Sequence, residues 1–270
     1  MFHCCGRNTG RSFFNLPPRL PMNTSIRAVL AALLLVACTL PSAHANVIIG
    51  GTRVIFPATD GEVTVRLSNQ NTTPALIEAW IDSGDEHSTP DKVHTPFLIT
   101  PPLFRLEPHR DQNLRILFTH SEQPLPTDRE TVFWLNVLEV PPKPSGQQFQ
   151  GKNYLQLAIR SRLKLFYRPA GLTGDPLKAP SALTFKTSAA SGTVDVIVHN
   201  PTAYYVTVSH LSIQAEGKPH VADSGMVAPF SDLHLAFHDL KQAPAAGSAI
   251  QYDCINDYGA DVALKGTVSP

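Results

Sequence analysis

The sequence has few cysteines, and three of the four lie near its beginning. Cys4, Cys5 and Cys38 all precede residue 46, so Cys254 is the single cysteine of the remaining chain. One thiol cannot form an internal disulfide bond, so the stability of that part must come from packed hydrophobic cores. We expect Cys254 to be a small buried apolar side chain and not a reactive thiol.

An excess of positive charge is also absent. The whole sequence contains 22 basic and 22 acidic residues. Four arginines and no acidic residue precede residue 46, which leaves 18 basic against 22 acidic residues, a formal net charge of −4, for the rest. Nucleic-acid-binding surfaces need clustered positive charge, so we predict no nucleic-acid partner.

Long stretches with helical periodicity are missing as well. The 24 prolines and the many runs of Val, Ile and Thr favour short strands between turns. The 225 residues after Ala45 suit one large or two ordinary domains. We therefore predict an all-β protein.

Sequence motifs of enzymes are not found. The chain has no glycine-rich phosphate loop, no nucleophile elbow and no cysteine with a plausible histidine partner. His234 and His238 are four residues apart, but a strand separates such positions by ~13 Å, whereas zinc binds its nitrogen ligands at ~2.1 Å. We therefore predict no enzymatic activity, no metal site, no cofactor and no small-molecule substrate.

The first 45 residues have the features of an export signal. Arg27 supplies positive charge, Ala28–Ala37 supplies an apolar stretch, and Ala43–Ala45 supplies a small-x-small cleavage pattern. The apolar stretch is too short to be a membrane span. We predict that translation starts at Met22 and that cleavage follows Ala45.

A second interpretation of this segment stays open. Leu35–Cys38 resembles a lipoprotein signal, in which Cys38 would be acylated and become the first residue. We favour cleavage after Ala45, because the family resemblance described below aligns better with it.

Strand-like runs form two series on either side of a polar, proline-bearing connection near Arg168–Leu172. Each series has seven runs separated by turn residues, and seven strands are typical of an immunoglobulin-like sandwich. We predict two such domains, 46–168 and 169–270, with a hinge that sets them at an angle around a cleft. The predicted strands are Val47–Pro57, Glu62–Asn69, Ala75–Ile81, Leu103–Leu106, Asn113–Phe118, Thr131–Val140 and Tyr154–Tyr167, then Ala182–Lys186, Thr193–His199, Tyr204–Ile213, Met226–Val227, Leu233–Phe237, Ala249–Ile255 and Val262–Val268.

The run Tyr154–Tyr167 alternates between apolar and polar residues. Leu155, Leu157, Ile159 and Leu163 share one parity, while the other parity carries Gln and basic side chains. Period two indicates a strand with one apolar face. Fourteen residues would span ~45 Å, well beyond the usual five or six residues. Such a strand either crosses its own domain or offers part of itself to a partner, and periodicity alone does not distinguish the two.

Two runs of the chain, Leu125–Pro141 and Arg162–Pro169, belong to a set of segments spread over nearly the whole sequence after residue 45. The other segments are Thr52–Phe56, Glu78–Ile81, Thr100–Pro102, Arg105–Pro108, Asn200–Thr202, Tyr204–Val208 and Ile255–Gly259. In this order they resemble the pattern of the periplasmic pilus-assembly chaperones (PapD-like). Leu125–Pro141 resembles the signature of that family, and Arg162–Pro169 resembles the strand with which the family holds its client.

The resemblance implies a fold and a function. The fold would be two immunoglobulin-like β-sandwich domains in an L-shaped or boomerang arrangement with an interdomain cleft. The protein would be a periplasmic chaperone of the chaperone–usher pathway, and it would lend a strand around Leu155–Lys164 to pilus subunits that lack one. This mode is donor-strand complementation. Leu155, Leu157 and Ile159 would enter the subunit groove, with Tyr154 as a further contact.

The resemblance also implies two sets of charged residues. Arg53 and Lys164 would bind the C-terminal carboxylate of the subunit and thereby fix the register of the donated strand. Glu130, Arg168 and Asp257 match an interdomain ion-pair triad. Exposed ion pairs contribute ~0–1 kcal/mol each, so we expect the triad to set the interdomain angle more than the stability.

The implied partners are pilus or fimbrial subunits and an outer-membrane usher, and a self-capping homodimer of the free protein is a further expectation. The loop Lys143–Asn153 is longer than in the short-loop subgroup, yet the cysteine pair that flanks it in the long-loop subgroup is missing. We favour the short-loop type. The alternative function is a structural or adhesive sandwich protein, which would bury the alternating strand and separate Arg53 from Lys164.

Overall fold

The structure is a computed structural model that describes residues 47–119, 124–146, 151–190, 193–215 and 217–270. Within these ranges the chain forms seventeen strands and one short 3-10 helix, Ala179–Ala182. No helix of this part is long and apolar enough to span a membrane. The predicted start at Met22, the cleavage after Ala45 and the alternative acylation of Cys38 lie outside the described residues.

The first nine strands form two sheets that share one hydrophobic core. The strand orders are β1-β3-β7-β5 in one sheet and β2-β9-β8-β4-β6 in the other. Alternate residues of both sheets are fully buried between them, for example Leu67 and Leu114 from the first sheet and Ile77 and Leu135 from the second. This arrangement is a β-sandwich. The strands are β1 Val47–Ile49, β2 Arg53–Pro57, β3 Glu62–Asn69, β4 Ala75–Asp82, β5 Phe97–Thr100, β6 Leu103–Leu106, β7 Asp111–Phe118, β8 Thr131–Val140 and β9 Ile159–Arg168.

The remaining eight strands form a second sandwich with its own core. One sheet has the order β10-β11-β15, and the other has the order β13-β12-β16-β17 with β14 paired to β12. Val198, Val208 and Cys254 are among its fully buried residues, so Cys254 is a core side chain as expected. The strands are β10 Thr184–Ala190, β11 Thr193–Asn200, β12 Val206–Ala215, β13 Lys218–Val221, β14 Gly225–Val227, β15 Ser231–Phe237, β16 Ala249–Ile255 and β17 Asp261–Thr267.

The predicted fold class, an all-β chain of two sandwiches, is confirmed, but the predicted number of strands is wrong. The described residues form nine and eight strands where seven and seven were expected. The predicted strand Val47–Pro57 is divided at Gly50 and Gly51, where the chain leaves one sheet for the other and Gly51 adopts a φ of 134°. Only glycine adopts such a φ readily. The domain limits 46–168 and 169–270 stay predictions.

The strand predicted at Tyr154–Tyr167 begins later than expected. β9 starts at Ile159, which pairs with Glu139 next to the end of β8. Tyr154–Ala158 has no ladder partner among the described strands, since the ladder with β8 begins at Ile159 and β8 itself ends at Val140. The prediction of a strand is therefore wrong for these five residues.

Candidate functional site

β9 has a neighbouring strand on both sides only along its second half. On one side it pairs with β8 from Ile159 to Tyr167. On the other side it pairs in parallel with β2, and this ladder covers only Lys164–Arg168. Within the described part of the chain, the backbone from Ile159 to Leu163 therefore has one unpaired edge. Such an edge is a template for an added strand.

The residues that lead into this open edge carry exposed apolar side chains, and we call Tyr154–Ile159 the apolar segment. Leu155, Leu157 and Ile159 are 82%, 63% and 47% exposed, and Tyr154 is 51% exposed. Leu163 has the same parity as these aliphatic residues but is buried in the core of the first sandwich. The apolar alternation of β9 thus continues beyond the core onto the surface.

Arg53 and Lys164 lie directly opposite each other on the parallel strands β2 and β9. Arg53 Nη1 donates to the carbonyl oxygen of Ile255 at 3.1 Å. Lys164 Nζ donates to Thr207 Oγ1 at 3.5 Å. Both acceptors belong to the second sandwich, so the two cations lie where the sandwiches meet. The structure brings this predicted pair together.

The two cations are half-buried. No ion pair joins either of them to a carboxylate within the described ranges. Burial lowers the pKa of Lys164, and the neighbouring charge of Arg53 lowers it further. Burial also lowers the pKa of Arg53, against the opposing effect of Asp257 and Asp261. Among the residues that the structure describes, none accepts a hydrogen bond from the buried Nε of Arg53. An anion would relieve both the repulsion and the unmet donor.

Arg168 at the end of β9 bridges the two sandwiches. Its Nε donates to Glu130 Oε1 at 2.7 Å. Its Nη1 and Nη2 donate to Asp257 Oδ2 and Oδ1 at 2.9 and 3.2 Å. Glu130 Oε2 also accepts from the backbone N–H of Tyr205 at 2.8 Å, and the Glu130 N–H donates to the carbonyl of Ala203 at 2.9 Å. The three residues of the predicted triad are therefore in contact.

The triad is more buried than the exposed pairs with which the sequence analysis compared it. The side chains of Glu130, Arg168 and Asp257 are 2%, 18% and 26% exposed. Burial raises the pKa of Glu130, although Arg168 opposes the shift. Burial by itself lowers the pKa of Arg168, but Asp257 and Glu130 outweigh it and raise that pKa. Loss of one side chain from the triad would leave buried groups of the other two without partners, at ~1–3 kcal/mol for each group, so substitutions in the triad are expected to destabilise the protein.

A buried carboxylate that the sequence did not indicate lies on the outer face of the sheet that contains β4, β8 and β9. Asp82 at the end of β4 is 1% exposed. It accepts from Asn136 Nδ2, Arg162 Nη2 and the backbone N–H of Gly84, each at 2.7 Å. Burial alone would raise the pKa of Asp82, but these donors outweigh burial and lower it. The alternation of β9 already placed Arg162 on the polar face, but nothing in the sequence indicated which acid would pair with it.

Models of two protein-domain families match the chain in sequence order. "Pili and flagellar-assembly chaperone, PapD N-terminal domain" matches residues 46–173, and "Pili assembly chaperone PapD, C-terminal domain" matches residues 178–266. The chain belongs to the PapD-like family of pilus-assembly chaperones. The two matches together span both sandwiches described above.

Individual PapD-like chaperones are similar over most of their length. "Chaperone protein FimB/FhaD" of Bordetella pertussis is 46% identical over 86% of this chain and 91% of that protein. "Probable fimbrial chaperone YadV" of Escherichia coli is 43% identical over 81% of this chain and 88% of that protein. A crystal structure of the YadV chaperone superposes with a TM-score of 0.70 at 39% identity, covering 83% of this chain and all of that one.

One chain of a solved chaperone–pilin complex is also similar to this PapD-like chain. The structure of the Salmonella enterica SafA pilin with the SafB chaperone matches with a TM-score of 0.67 at 28% identity, covering 85% of this chain and 99% of the matched chain. The comparisons assign the family, and the fold agrees with them.

Proposed function

We propose that this protein is a periplasmic chaperone that caps incomplete pilus subunits with its own apolar segment. The subunit class follows from the family of the chain and from relatives that are named fimbrial chaperones. Leu155, Leu157 and Ile159, with Tyr154 beside them, fill the open groove of the subunit. Main-chain pairing along the unpaired edge of β9 supplies hydrogen bonds, and alternate side chains supply apolar burial.

One observation carries this proposal: the aliphatic side chains of the apolar segment are exposed beside an unpaired strand edge. Large aliphatic side chains and open strand edges are both unfavourable in water unless a partner covers them. A strand added along this edge by a subunit would satisfy the backbone and bury the side chains at once. A purely structural or adhesive sandwich would have no need for either feature.

Arg53 and Lys164 are proposed to bind the C-terminal carboxylate of the subunit. Their half-buried, adjacent charges and the unmet Nε donor of Arg53 favour a compact anion with more than one acceptor atom. A terminal carboxylate has both properties. Because the two cations lie at the end of the open edge, such an anchor would fix the register of the added strand.

The triad Glu130–Arg168–Asp257 is proposed to hold the two sandwiches in the relative position that keeps this anchor formed. Arg168 follows Lys164 by four residues on β9, so the triad and the anchor lie on the same strand. Arg53 and Lys164 both hydrogen-bond to the second sandwich, through Ile255 and Thr207. Loosening the junction would therefore disturb the anchor directly.

Three finer features belong to the same proposal. The periplasm is the expected location, because the N-terminal residues resemble an export signal and the family acts on fimbrial subunits. An outer-membrane usher is the expected acceptor of the subunit. In the absence of a subunit, a second copy of this protein is expected to cover the apolar segment.

The experiment is to produce fimbrial subunits in the bacterial periplasm with no chaperone, with this protein, or with its Lys164→Ala variant. We expect the wild-type protein to raise the amount of soluble subunit and to co-purify with it. Loss of one partner from a desolvated charged contact costs ~2–5 kcal/mol of binding, so the variant should recover much less complex.

The matched control is Lys186→Ala, which removes an exposed lysine from a strand of the second sandwich. It should leave the recovery of complex unchanged. Equal recovery with wild type and Lys164→Ala would refute the anchoring role. No recovery with the wild-type protein for any fimbrial subunit would refute the chaperone function.

A further inference from the structure

The carboxylate of Asp82 connects three adjacent strands on the face of the sheet opposite the core. Asp82 ends β4, Asn136 lies on β8 and Arg162 lies on β9. Asn136 and Arg162 are direct cross-strand neighbours. Arg162 binds both oxygens of Asp82, with Nη2 at 2.7 Å and Nε at 3.3 Å. A guanidinium fork on a buried carboxylate fixes direction as well as distance.

Arg160 adds a second connection from the same face of β9. Its Nε donates to Asn136 Oδ1 at 2.8 Å, and its Nη1 donates to the carbonyl of Glu86 at 2.7 Å. The guanidinium also lies 5.0 Å from the centre of the Trp80 ring. Ser88, in the loop that carries Glu86, accepts from Trp80 Nε1 and donates to Asp82, both at 3.2 Å. The loop after β4 is thus bound to the beginning of β9.

These connections fall on the part of β9 that has the weakest backbone support. Ile159–Leu163 pairs with β8 on one side and has no described strand on the other. Strand ends with one-sided pairing open readily. Arg160 and Arg162 link this part to β4, which lies beyond β8 in the sheet. They also hold the polar parity of β9 on the outer face, so the apolar parity is kept on the other.

We propose that Asp82 is a positioning residue for subunit capture, which acts through Arg162 and Asn136 to hold the beginning of β9 so that the apolar segment leaves the sandwich in one direction. The inference rests on the proposed function, because it concerns the same segment. Asp82 is buried and does not touch the subunit. It raises the fraction of molecules in which the segment is ready to pair.

This role predicts a specific kinetic result. If only a fraction of the free molecules holds the apolar segment ready to pair, subunit capture slows in proportion to that fraction. In a formed complex, pairing with the subunit itself holds the segment in place. Asp82→Asn should therefore slow subunit capture by about tenfold if the competent fraction falls to about one tenth. The release rate of a formed complex should stay close to that of wild type. Lys164→Ala should do the opposite and mainly speed release, as loss of a charged anchor does.

The experiment uses a fimbrial subunit that forms a soluble complex with the wild-type protein. Capture is timed after denatured subunit is diluted into chaperone, and release is timed by chasing the complex with excess labelled wild-type chaperone. In the free protein, amide exchange at Ile159–Leu163 should accelerate in Asp82→Asn and not in Lys164→Ala. Arg162→Lys keeps the charge but removes the fork, so it is a second variant if Asp82→Asn unfolds. Asp111→Asn is the control, since it breaks an exposed pair with Arg66 on the other sheet.

Slower capture with unchanged release and locally faster exchange would support the positioning role. Unchanged capture by Asp82→Asn and Arg162→Lys would overturn it while leaving the proposed function intact. Faster release by Asp82→Asn, or exchange at Ile159–Leu163 that accelerates no more than exchange elsewhere in the first sandwich, would show a general structural role and would overturn it as well. Failure of the wild-type protein to capture any subunit would overturn the proposed function and this inference together.

Discussion

Leu157 and Leu163 offer a direct comparison between a side chain that is proposed to bind a partner and one that packs in the core. Both have the apolar parity of the same stretch of chain, but Leu157 is 63% exposed and Leu163 is 7% exposed. The proposed function predicts that replacing each with alanine affects a different equilibrium. Leu157→Ala should weaken subunit binding and leave folding unchanged, whereas Leu163→Ala should destabilise the fold.

The sizes of both effects follow from burial. Full burial of a leucine side chain is worth ~1.5–3 kcal/mol. Leu157 is 63% exposed, so about two thirds of this burial free energy remains to be gained in the groove of a subunit. In Leu157→Ala, the cavity left in the groove adds to the lost binding free energy. We therefore expect Leu157→Ala to cost about 2 kcal/mol of binding, which is roughly a 30-fold rise in Kd. Its effect on unfolding should stay within about 0.5 kcal/mol, as for other surface substitutions. Leu163→Ala should cost ~2–5 kcal/mol of unfolding free energy.

The assay combines urea unfolding of the free protein with competition for a fimbrial subunit against labelled wild-type chaperone. Leu177→Ala, which removes another leucine that is 55% exposed, controls for exposure itself and should change neither quantity. Wild-type subunit binding by Leu157→Ala would refute the assignment of the apolar segment. A drop in the urea midpoint as large as that of Leu163→Ala would refute the conclusion that Leu157 lies outside the core.

Three further predictions test the junction, the thiol and the buried carboxylate. Glu130→Ala removes the acceptor of Arg168 Nε and of the Tyr205 N–H and should cost ~1–3 kcal/mol of unfolding free energy for each of these donors. Asp128→Ala, in an exposed pair, should cost less than about 1 kcal/mol, and similar urea midpoints would contradict this. Burial raises the pKa of Cys254 to about 12, so iodoacetamide should label it only after unfolding, and rapid labelling of native protein in peptide mass spectra would disprove the burial. Because its pKa is lowered, the ionised Asp82 stabilises the fold above its ordinary carboxyl pKa of 3.8, and this stabilisation is lost as the pH falls. Asp82→Asn should therefore lose less unfolding free energy in acid than the wild-type protein, and an unchanged dependence of unfolding free energy on pH would contradict this.

The strands that the sequence located best are those with clear alternation between turn residues. Glu62–Asn69, Thr131–Val140 and Ala249–Ile255 were predicted with the same limits that the structure has. The start of β9 could not be located in this way, because alternation describes the side chains and says nothing about where the neighbouring strand ends. The alternating side-chain pattern begins before Ile159, but pairing with β8 begins only at Ile159, so the apolar residues before it are exposed.

The candidate site was predictable to a different degree for each of its parts. Arg53 lies opposite Lys164 because of the parallel register of β2 and β9. This register cannot be predicted from the side-chain pattern of a single sequence, so only the family resemblance connected the two residues. The burial of the triad depends on contacts across the junction, through Tyr205 and Ala203. Asp82 was missed because its donors Asn136 and Arg162 lie on two other strands, and the sequence alone does not show that β4, β8 and β9 are neighbours.

An exposed apolar segment beside an open strand edge is also a site for aggregation, so the protein must limit the exposure that its function requires. The open edge is short, because β2 covers β9 from Lys164 onward. Arg160 and Arg162 place charges along the same stretch, and charges near an exposed edge oppose pairing with unrelated strands. A subunit that presents a terminal carboxylate can neutralise Arg53 and Lys164, whereas an unrelated strand without an anion at this position would leave both charges buried and unpaired. In the proposed function, specificity would therefore arise from the same half-buried cations that give affinity, because they would penalise the wrong partner as much as they favour the right one.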